Sequence, residues 1–269
     1  MKIVITGTKG FIGQNLYNKL KDDNDILEIN EDIFDSDDWE SNLYKQLISF
    51  EPEVVFHVGA CSNTLEQDVN YIMKVNYLFT EILVDYCKLF NSKLIYSSSA
   101  ANYGDNGRHP SNLYGWSKYA AEQMVLTCGG IALRYFNVYG PLEHNKGKMA
   151  SVAYQMIQKN NNGEEIKLFP LKPKRDFVYI EDVISANLCA LEHYNDNYGH
   201  LYEVGSGDAR TFEDVMSILN IAYTYHDESM IPKGYQFITK SRSELWMEDW
   251  TPQYTLERGL TEYLSFLNK

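Results

Sequence analysis

Residues 2–13 read KIVITGTKGFIG, a run of apolar, mostly β-branched residues that breaks into glycines at positions 7, 10 and 13. Ile3, Val4, Ile5 and Thr6 suit a strand. The following FIGQNLYNKLKD (11–22) has the apolar spacing of a helix that packs one face. A strand that turns through glycine into a helix is a natural phosphate site. Glycine lets the turn tighten and lets a pyrophosphate approach the backbone. The helix start adds unpaired N–H groups and the positive end of its dipole. The spacing is G-x-x-G-x-x-G rather than G-x-G-x-x-G, so the strand–turn–helix context carries as much weight as the triplet. Dinucleotide binding at Gly7, Gly10 and Gly13 is the expected outcome.

The same rhythm continues outward. DILEIN (25–30), EVVFHVG (53–59), KLIYSSS (93–99) and GIALRYFNVYG (130–140) read as further strands. Helical stretches separate them, one over roughly 66–90 and one starting near Tyr114. This alternation predicts an α/β fold, a doubly wound parallel sheet (Rossmann) covered on both faces. Ligands in such a fold gather at the carboxyl ends of the strands. After about residue 141 the pattern loosens. A helix near 149–160, strands at IKLF (166–169) and HLYEVG (200–205), the segment DFVYIEDVISANLCALEHY (176–194) and a last helix in 255–268 follow. We expect a dinucleotide-binding core over 1–148 and a smaller substrate-binding lobe over 149–269, interleaved with it.

The 269 residues are ample for a large buried core. Lys and Arg number 24 against 37 Asp and Glu, a net charge of −13. That argues against nucleic acid or an anionic membrane as main partner, but not against an anionic small molecule held by local cations and backbone N–H groups. Cys61, Cys87, Cys128 and Cys189 show no C-x-x-C spacing, as expected of a reduced protein without a structural metal. No window approaches 18 uncharged apolar residues and the chain opens directly on a strand, so a soluble, cytoplasmic protein is expected.

Coenzyme choice is less direct. An acid at the end of the second strand would hydrogen-bond a ribose 2′-hydroxyl and repel a 2′-phosphate. Here that position is the neutral Asn30, and Lys9 sits inside the glycine turn where it could pair with a 2′-phosphate. Against this, residues 22–40 hold ten Asp or Glu and no Lys or Arg. The balance leans to NADP, with NAD open.

The strand KLIYSSS places Ser99 at its carboxyl end, where a nicotinamide and substrate would lie. Beyond it, NLYGWSK (112–118) puts Tyr114 one helical turn before Lys118. Alone, that pair is an ordinary amphipathic surface. Beside a dinucleotide it is an acid–base unit: Lys118 and an oxidised nicotinamide, both positive, would favour the Tyr114 phenolate. Ser99 would hold the reacting oxygen near it.

At this point the chain resembles the extended short-chain dehydrogenases/reductases that act on nucleotide sugars, through the glycine turn, SSSAANYG (97–104), Y-x-x-x-K and RYFNVYGP (134–141). HVGACSNTLEQD (57–68), NLYGWSK, RYFNVYGPLEHNKGKMASVAY (134–154) and KRDFVYIEDV (174–183) are similar to the ADP-glycero-manno-heptose 6-epimerases. The resemblance implies an epimerase that oxidises carbon 6 to a ketone by hydride transfer and returns the hydride to the opposite face. Rotation about the exocyclic bond presents that face, so two acid/base groups are implied, Tyr114 and Lys146. Without the resemblance Lys146 is an ordinary loop lysine.

It further implies that Phe11 and Ile12 lie along the dinucleotide, with Gly59, Ala60, Cys61, Ser62, Asn76 and Val138 beside it. Asn137, Gln155, Phe169, Arg175 and Tyr235 would hold the nucleotide-diphosphate sugar, Arg175 through its planar fork. A homo-oligomer is also implied. Lys148 stands where the family has Ser and Gln155 where it has His, so sugar or diphosphate contacts are expected to differ. The loop between Ser99 and Tyr114 is trimmed. Rival readings are another nucleotide-sugar epimerase, dehydratase or epimerase–reductase, and a non-catalytic dinucleotide-binding regulator. A dehydratase would want acids beside the serine, where Ala100 and Ala101 stand.

Overall fold

The computed structural model describes residues 1–105, 107–231 and 235–268, with every side chain among them except those of Asn145 and Lys148. In chain order, β1 (Lys2–Thr6) leads through the glycine turn to α1 (Phe11–Leu20). Then come β2 (Asp25–Ile29), α2 (Trp39–Phe50), β3 (Val54–His57), α3 (Val69–Met73), α4 (Phe79–Phe90), β4 (Lys93–Ser99) and α5 (Leu113–Thr127). The second half runs β5 (Ile131–Tyr135), β6 (Asn137–Tyr139), α6 (Val152–Asn161), β7 (Lys167–Leu168), β8 (Lys174–Tyr179) and α7 (Ile180–Glu192). It ends with β9 (Leu201–Val204), β10 (Ala209–Thr211), α8 (Phe212–Leu219), β11 (Thr224–Tyr225) and α9 (Leu256–Leu267).

Six strands form one parallel sheet in the order β2-β1-β3-β4-β5-β9. The chain steps outward from β1 to β2 and then crosses back to β3. The crevice between the carboxyl ends of β1 and β3 is therefore the topological switch point, where ligands bind in such sheets. Strand residues alternate between two buried layers, as a period of two requires. Ile3, Ile5, Val54, Phe56, Ile95, Ile131 and Leu133 face the layer that includes α1 and α7. Val4, Val55, Leu94, Tyr96 and Ala132 face α2, α4 and α5. Both faces are covered, which is why the strands read as unbroken apolar runs.

Two expectations are corrected. The helix expected over 66–90 begins at Val69 and is interrupted by a π-helical turn, Lys74–Leu78. Asn76 lies in that turn, buried. Such turns re-aim a side chain, and this one spends Asn76 on the site described below. The run GIALRYFNVYG is not one strand. β5 stays in the main sheet, whereas β6 pairs with β8 in a three-stranded sheet with β10. Phe136 is the pivot, donating its N–H to Val204 O at 3.0 Å. No helix among the described residues is long and apolar enough to cross a membrane.

Candidate active site

The glycine turn closes against the end of β3. Gly7 has φ +73°, a left-handed value suited to glycine. A Cβ on it would meet Gly59 Cα at 2.6 Å, and a Cβ on Gly13 would meet Gly7 O at 2.1 Å. Thr6 Oγ1 fixes the opposite wall by accepting the Gly59 N–H at 2.8 Å. The start of α1 has Gly10 as its N-cap and no side chain capping it. Small residues, close backbone and an uncapped helix start together fit a pyrophosphate, so Gly7, Gly10, Gly13 and Gly59 are suited to cradle a dinucleotide. Phe11 is buried and Ile12 half-buried at the same helix start.

The residues expected to act as acid and base gather at the carboxyl end of β4. Asn112 caps α5 by accepting the Gly115 N–H at 2.8 Å, which starts the helix just before Tyr114. Across from it, the Ser99 side chain lies near the Tyr114 phenol. Burial pushes the phenol above its ordinary value, with the nearby Ser99 hydroxyl pulling the other way. Lys118, one turn along, is buried, with Nζ 4.1 Å from the Tyr96 ring centroid. Burial lowers its ammonium to about 7, opposed by Glu122 another turn along. Tyr96 is near both residues, and burial first, then the nearness of Tyr114, raises its hydroxyl.

In the chain alone, desolvation dominates both groups, so the expected help of Lys118 to the phenolate belongs to the coenzyme-bound site. An additional positive charge beside the phenol is needed to favour phenolate, and an oxidised nicotinamide carries one.

Asn76 joins these walls. Its Oδ1 accepts the Cys61 N–H at 2.7 Å, and its Nδ2 donates to Cys61 O at 3.1 Å and Ser117 Oγ at 2.9 Å. Cys61 in turn lies close to Tyr114. Ala60 is half-buried and Ser62 exposed along the same loop, and Val138 is half-buried on β6. Lys146 sits on the short helical turn Glu143–Met149, its Nζ 5.4 Å from the Phe11 ring centroid. Burial lowers its ammonium too. The same turn reaches the third-strand loop, where Thr64 Oγ1 lies 3.8 Å from Met149 Sδ.

The expected sugar-nucleotide residues separate into groups. Arg175 lies 5.2 Å from the Tyr235 ring and 5.6 Å from that of Phe212. Phe169 packs edge-on to Tyr235 at 5.4 Å and also against His226. Asn137 stands apart from them, accepting from Thr239 Oγ1 at 3.2 Å. Gln155 turns back to donate to Ala150 O at 2.8 Å. The Lys148 side chain lies outside the described residues. Asp176 does not pair with Arg175. Fully buried, it accepts from Ser206, Gly207 and Ser241 at 2.6–3.0 Å and staples their loops to β8.

Residues absent from the expected set complete the picture. Glu122, eight positions after Tyr114, accepts from Ser98 Oγ at 2.6 Å, Asn102 Nδ2 at 3.0 Å and Arg134 Nε at 2.7 Å. Tyr103 donates to Glu203, and Arg242 Nε binds Glu203 at 3.0 Å. A cavity of about 190 Å³ is lined by Ala100, Tyr103, Phe136, Glu203, Thr239 and Arg242. The Y-x-x-x-K-x-x-x-E spacing was the readable signal for Glu122. Glu203 and Arg242 had none.

A model of the NAD dependent epimerase/dehydratase family matches residues 3–205. The chain belongs to this family. Solved epimerase structures superpose along its whole length. The ADP-L-glycero-D-manno-heptose-6-epimerase of Helicobacter pylori is 29% identical, with 99% of this chain and 96% of that one covered at a TM-score of 0.85. The UDP-N-acetylglucosamine 4-epimerase of Methanobrevibacter ruminantium is 26% identical, covering 99% and 98% at 0.86. At 24% identity, the UDP-glucose 4-epimerase of Thermotoga maritima shares the fold, covering 100% and 99% at 0.86.

Proposed function

We propose that the chain is a nucleotide-sugar epimerase that inverts a stereocentre by transient oxidation with a tightly bound NAD(P), and that its substrate is ADP-glycero-manno-heptose, inverted at carbon 6. The juxtaposition of Ser99 at the end of β4 with Tyr114 and Lys118 on α5, beside the glycine crevice, carries the reading. An unactivated C–H cannot be deprotonated usefully. The bound nicotinamide supplies a reversible hydride acceptor instead.

The chain's own residues handle protons and position. Ser99 holds the sugar hydroxyl against the phenol. Tyr114 takes the hydroxyl proton as a carbonyl forms and returns it as the carbonyl is reduced. Lys118 holds positive charge behind the phenol. Once the sugar has rotated about its exocyclic bond, Lys146 serves the oxygen from the other side. Its burial and lowered basicity suit a lysine that must also exist neutral. Arg175, with Tyr235 and Phe169, offers a cation on an aromatic wall for diphosphate and base.

The heptose assignment is supported by the 29% identity over nearly the full chain and by the NKGKM segment that carries Lys146. Incubation with ADP-glycero-manno-heptose deuterated at carbon 6, followed by NMR, tests it. The expected result is inversion with the deuterium retained. Turnover only on another nucleotide sugar would overturn the heptose assignment and keep the epimerase. Coenzyme bound without turnover on any nucleotide sugar would favour a regulator.

A further inference from the structure

His57 ends β3 fully buried, two residues before Gly59, and takes no part in the chemistry above. Its imidazole lies between two threonines from different elements. Nδ1 is 2.9 Å from Thr6 Oγ1 at the end of β1, and Nε2 is 2.8 Å from Thr80 Oγ1 on α4. Both threonines are fully buried.

The partners of those hydroxyls decide which nitrogen carries the hydrogen. Thr80 Oγ1 donates to Asn76 O at 2.8 Å, which uses its only hydrogen. Toward the imidazole it can only accept, so Nε2 carries the N–H. Nδ1 is then bare and accepts the Thr6 hydrogen, while Thr6 Oγ1 accepts the Gly59 N–H at 2.8 Å. The row closes with one tautomer and no charge. A second proton, on Nδ1, would displace the Thr6 hydrogen from its acceptor inside a buried layer, a costly change. It would also add a cation beside another. The Tyr96 ring, 5.4 Å from the imidazole, carries Lys118 Nζ at 4.1 Å, and the Phe79 ring packs edge-on at 5.2 Å. Burial first, and then the charge of Lys118, hold the imidazole well below its ordinary value.

The row joins two walls. At one end, Gly59 stands against Gly7 of the glycine turn. At the other, Asn76 belongs to the π-helical turn, and its side chain holds Cys61 and Ser117. Ser117 Oγ in turn donates to Tyr114 O at 2.8 Å. We infer that His57 is a positioning residue that locks the coenzyme wall to the helix start carrying Tyr114, through a single neutral tautomer. The role rests on the proposed use of the crevice and of Tyr114. Enclosed as it is, His57 acts only through its neighbours.

Two-bond proton–nitrogen NMR spectra of protein labelled with imidazole-¹⁵N histidine read the tautomer directly. The expected result is neutral His57 with the hydrogen on Nε2 from pH 8 down to about pH 5. The hydrogen on Nδ1, or an imidazolium at pH 7, would overturn the lock.

Two variants then separate its arms. His57→Asn places an amide oxygen near the Nδ1 position and keeps the Thr6 arm. His57→Gln places an amide N–H near the Nε2 position and keeps the Thr80 arm. In nucleotide-stripped protein titrated with NADH, His57→Gln should bind about tenfold more weakly, as loss of one buried hydrogen bond implies, and His57→Asn within about twofold of the unaltered chain. With coenzyme saturating and ADP-glycero-manno-heptose supplied, His57→Asn should lower kcat about tenfold with little change in KM, and His57→Gln should spare kcat. Equal losses of binding and turnover in both variants, or no loss in either, would reduce His57 to packing and overturn the role. An unaltered chain that binds no NADH would overturn the coenzyme reading, and this role with it. An unaltered chain that binds NADH but leaves the heptose unturned would overturn the heptose assignment alone, and the tautomer and the NADH titrations then decide the role.

Discussion

The nucleotide crevice and the aromatic wall around Arg175 are assembled in opposite ways. The crevice uses backbone and neighbours close in sequence: Gly7, Gly10 and Gly13 within one turn, met by Gly59 from the adjacent strand end. The wall uses side chains brought from remote segments: Phe169 after β7, Arg175 on β8, Phe212 opening α8, His226 after β11, and Tyr235. A backbone-built site tolerates little variation, because an added Cβ at Gly13 would strike Gly7 O. A side-chain-built site can be rewritten residue by residue without touching the fold. On the proposed function, coenzyme binding would belong to the scaffold and sugar choice to the wall.

Perturbing each region should break this contrast or sharpen it. The largest effect is expected at Lys118, which joins both regions to chemistry. Lys118→Met should lower turnover about 10³-fold, within the range of acid–base contributions. It should also change the pH dependence of stability. Burial lowers the folded Lys118 to about 7, below the unfolded lysine. The unfolded chain therefore binds the extra proton above about pH 7, and stability rises with pH across that window. Thermal melts should show Lys118→Met gaining most over the unaltered chain near pH 6 and least near pH 9. An equal gain at both values would contradict the burial argument.

Next in size is the buried pair beneath α5. Glu122→Ala would leave the Arg134 guanidinium buried without its carboxylate. Losing one partner of such a pair costs about 3–5 kcal/mol, readable by urea unfolding. A loss under about 1 kcal/mol would mean that the residues around Arg134 already satisfy it.

Smaller and confined to the wall, Arg175→Ala should raise KM for the nucleotide sugar about 10- to 100-fold, as loss of a charge-assisted contact worth roughly 1.5–3 kcal/mol implies. Coenzyme content should not change. Smallest of all, Phe169→Leu should raise KM by about 2- to 5-fold through lost aromatic contact, again sparing the coenzyme. Either wall substitution emptying the crevice would erase the distinction between the two regions.

Legibility in the sequence followed the same divide. The parallel sheet and glycine turn could be read because strand, turn and helix are consecutive, and Tyr114 and Lys118 because they sit one turn apart on α5. Glu122 continues that row at the same spacing and could have been read with them. The break between β5 and β6 could not, because apolar residues lie on both sides of Phe136 and only pairing with β9 and β8 separates them. Lys9 appeared free for a 2′-phosphate until its partner Asp32, 23 residues on, was brought beside it. Phe212 and His226 carry no local mark of function, since their role exists only where distant segments meet Arg175 and Phe169.

Replacing Tyr114 by Phe tests the central claim most directly, with bound coenzyme and turnover measured on the same preparation. Phenylalanine keeps the ring and deletes the hydroxyl that lies near Ser99. Coenzyme content should stay at the level of the unaltered chain while turnover of the nucleotide sugar falls about 10²- to 10⁴-fold. Turnover within a few-fold of the unaltered chain, with coenzyme bound, would contradict it.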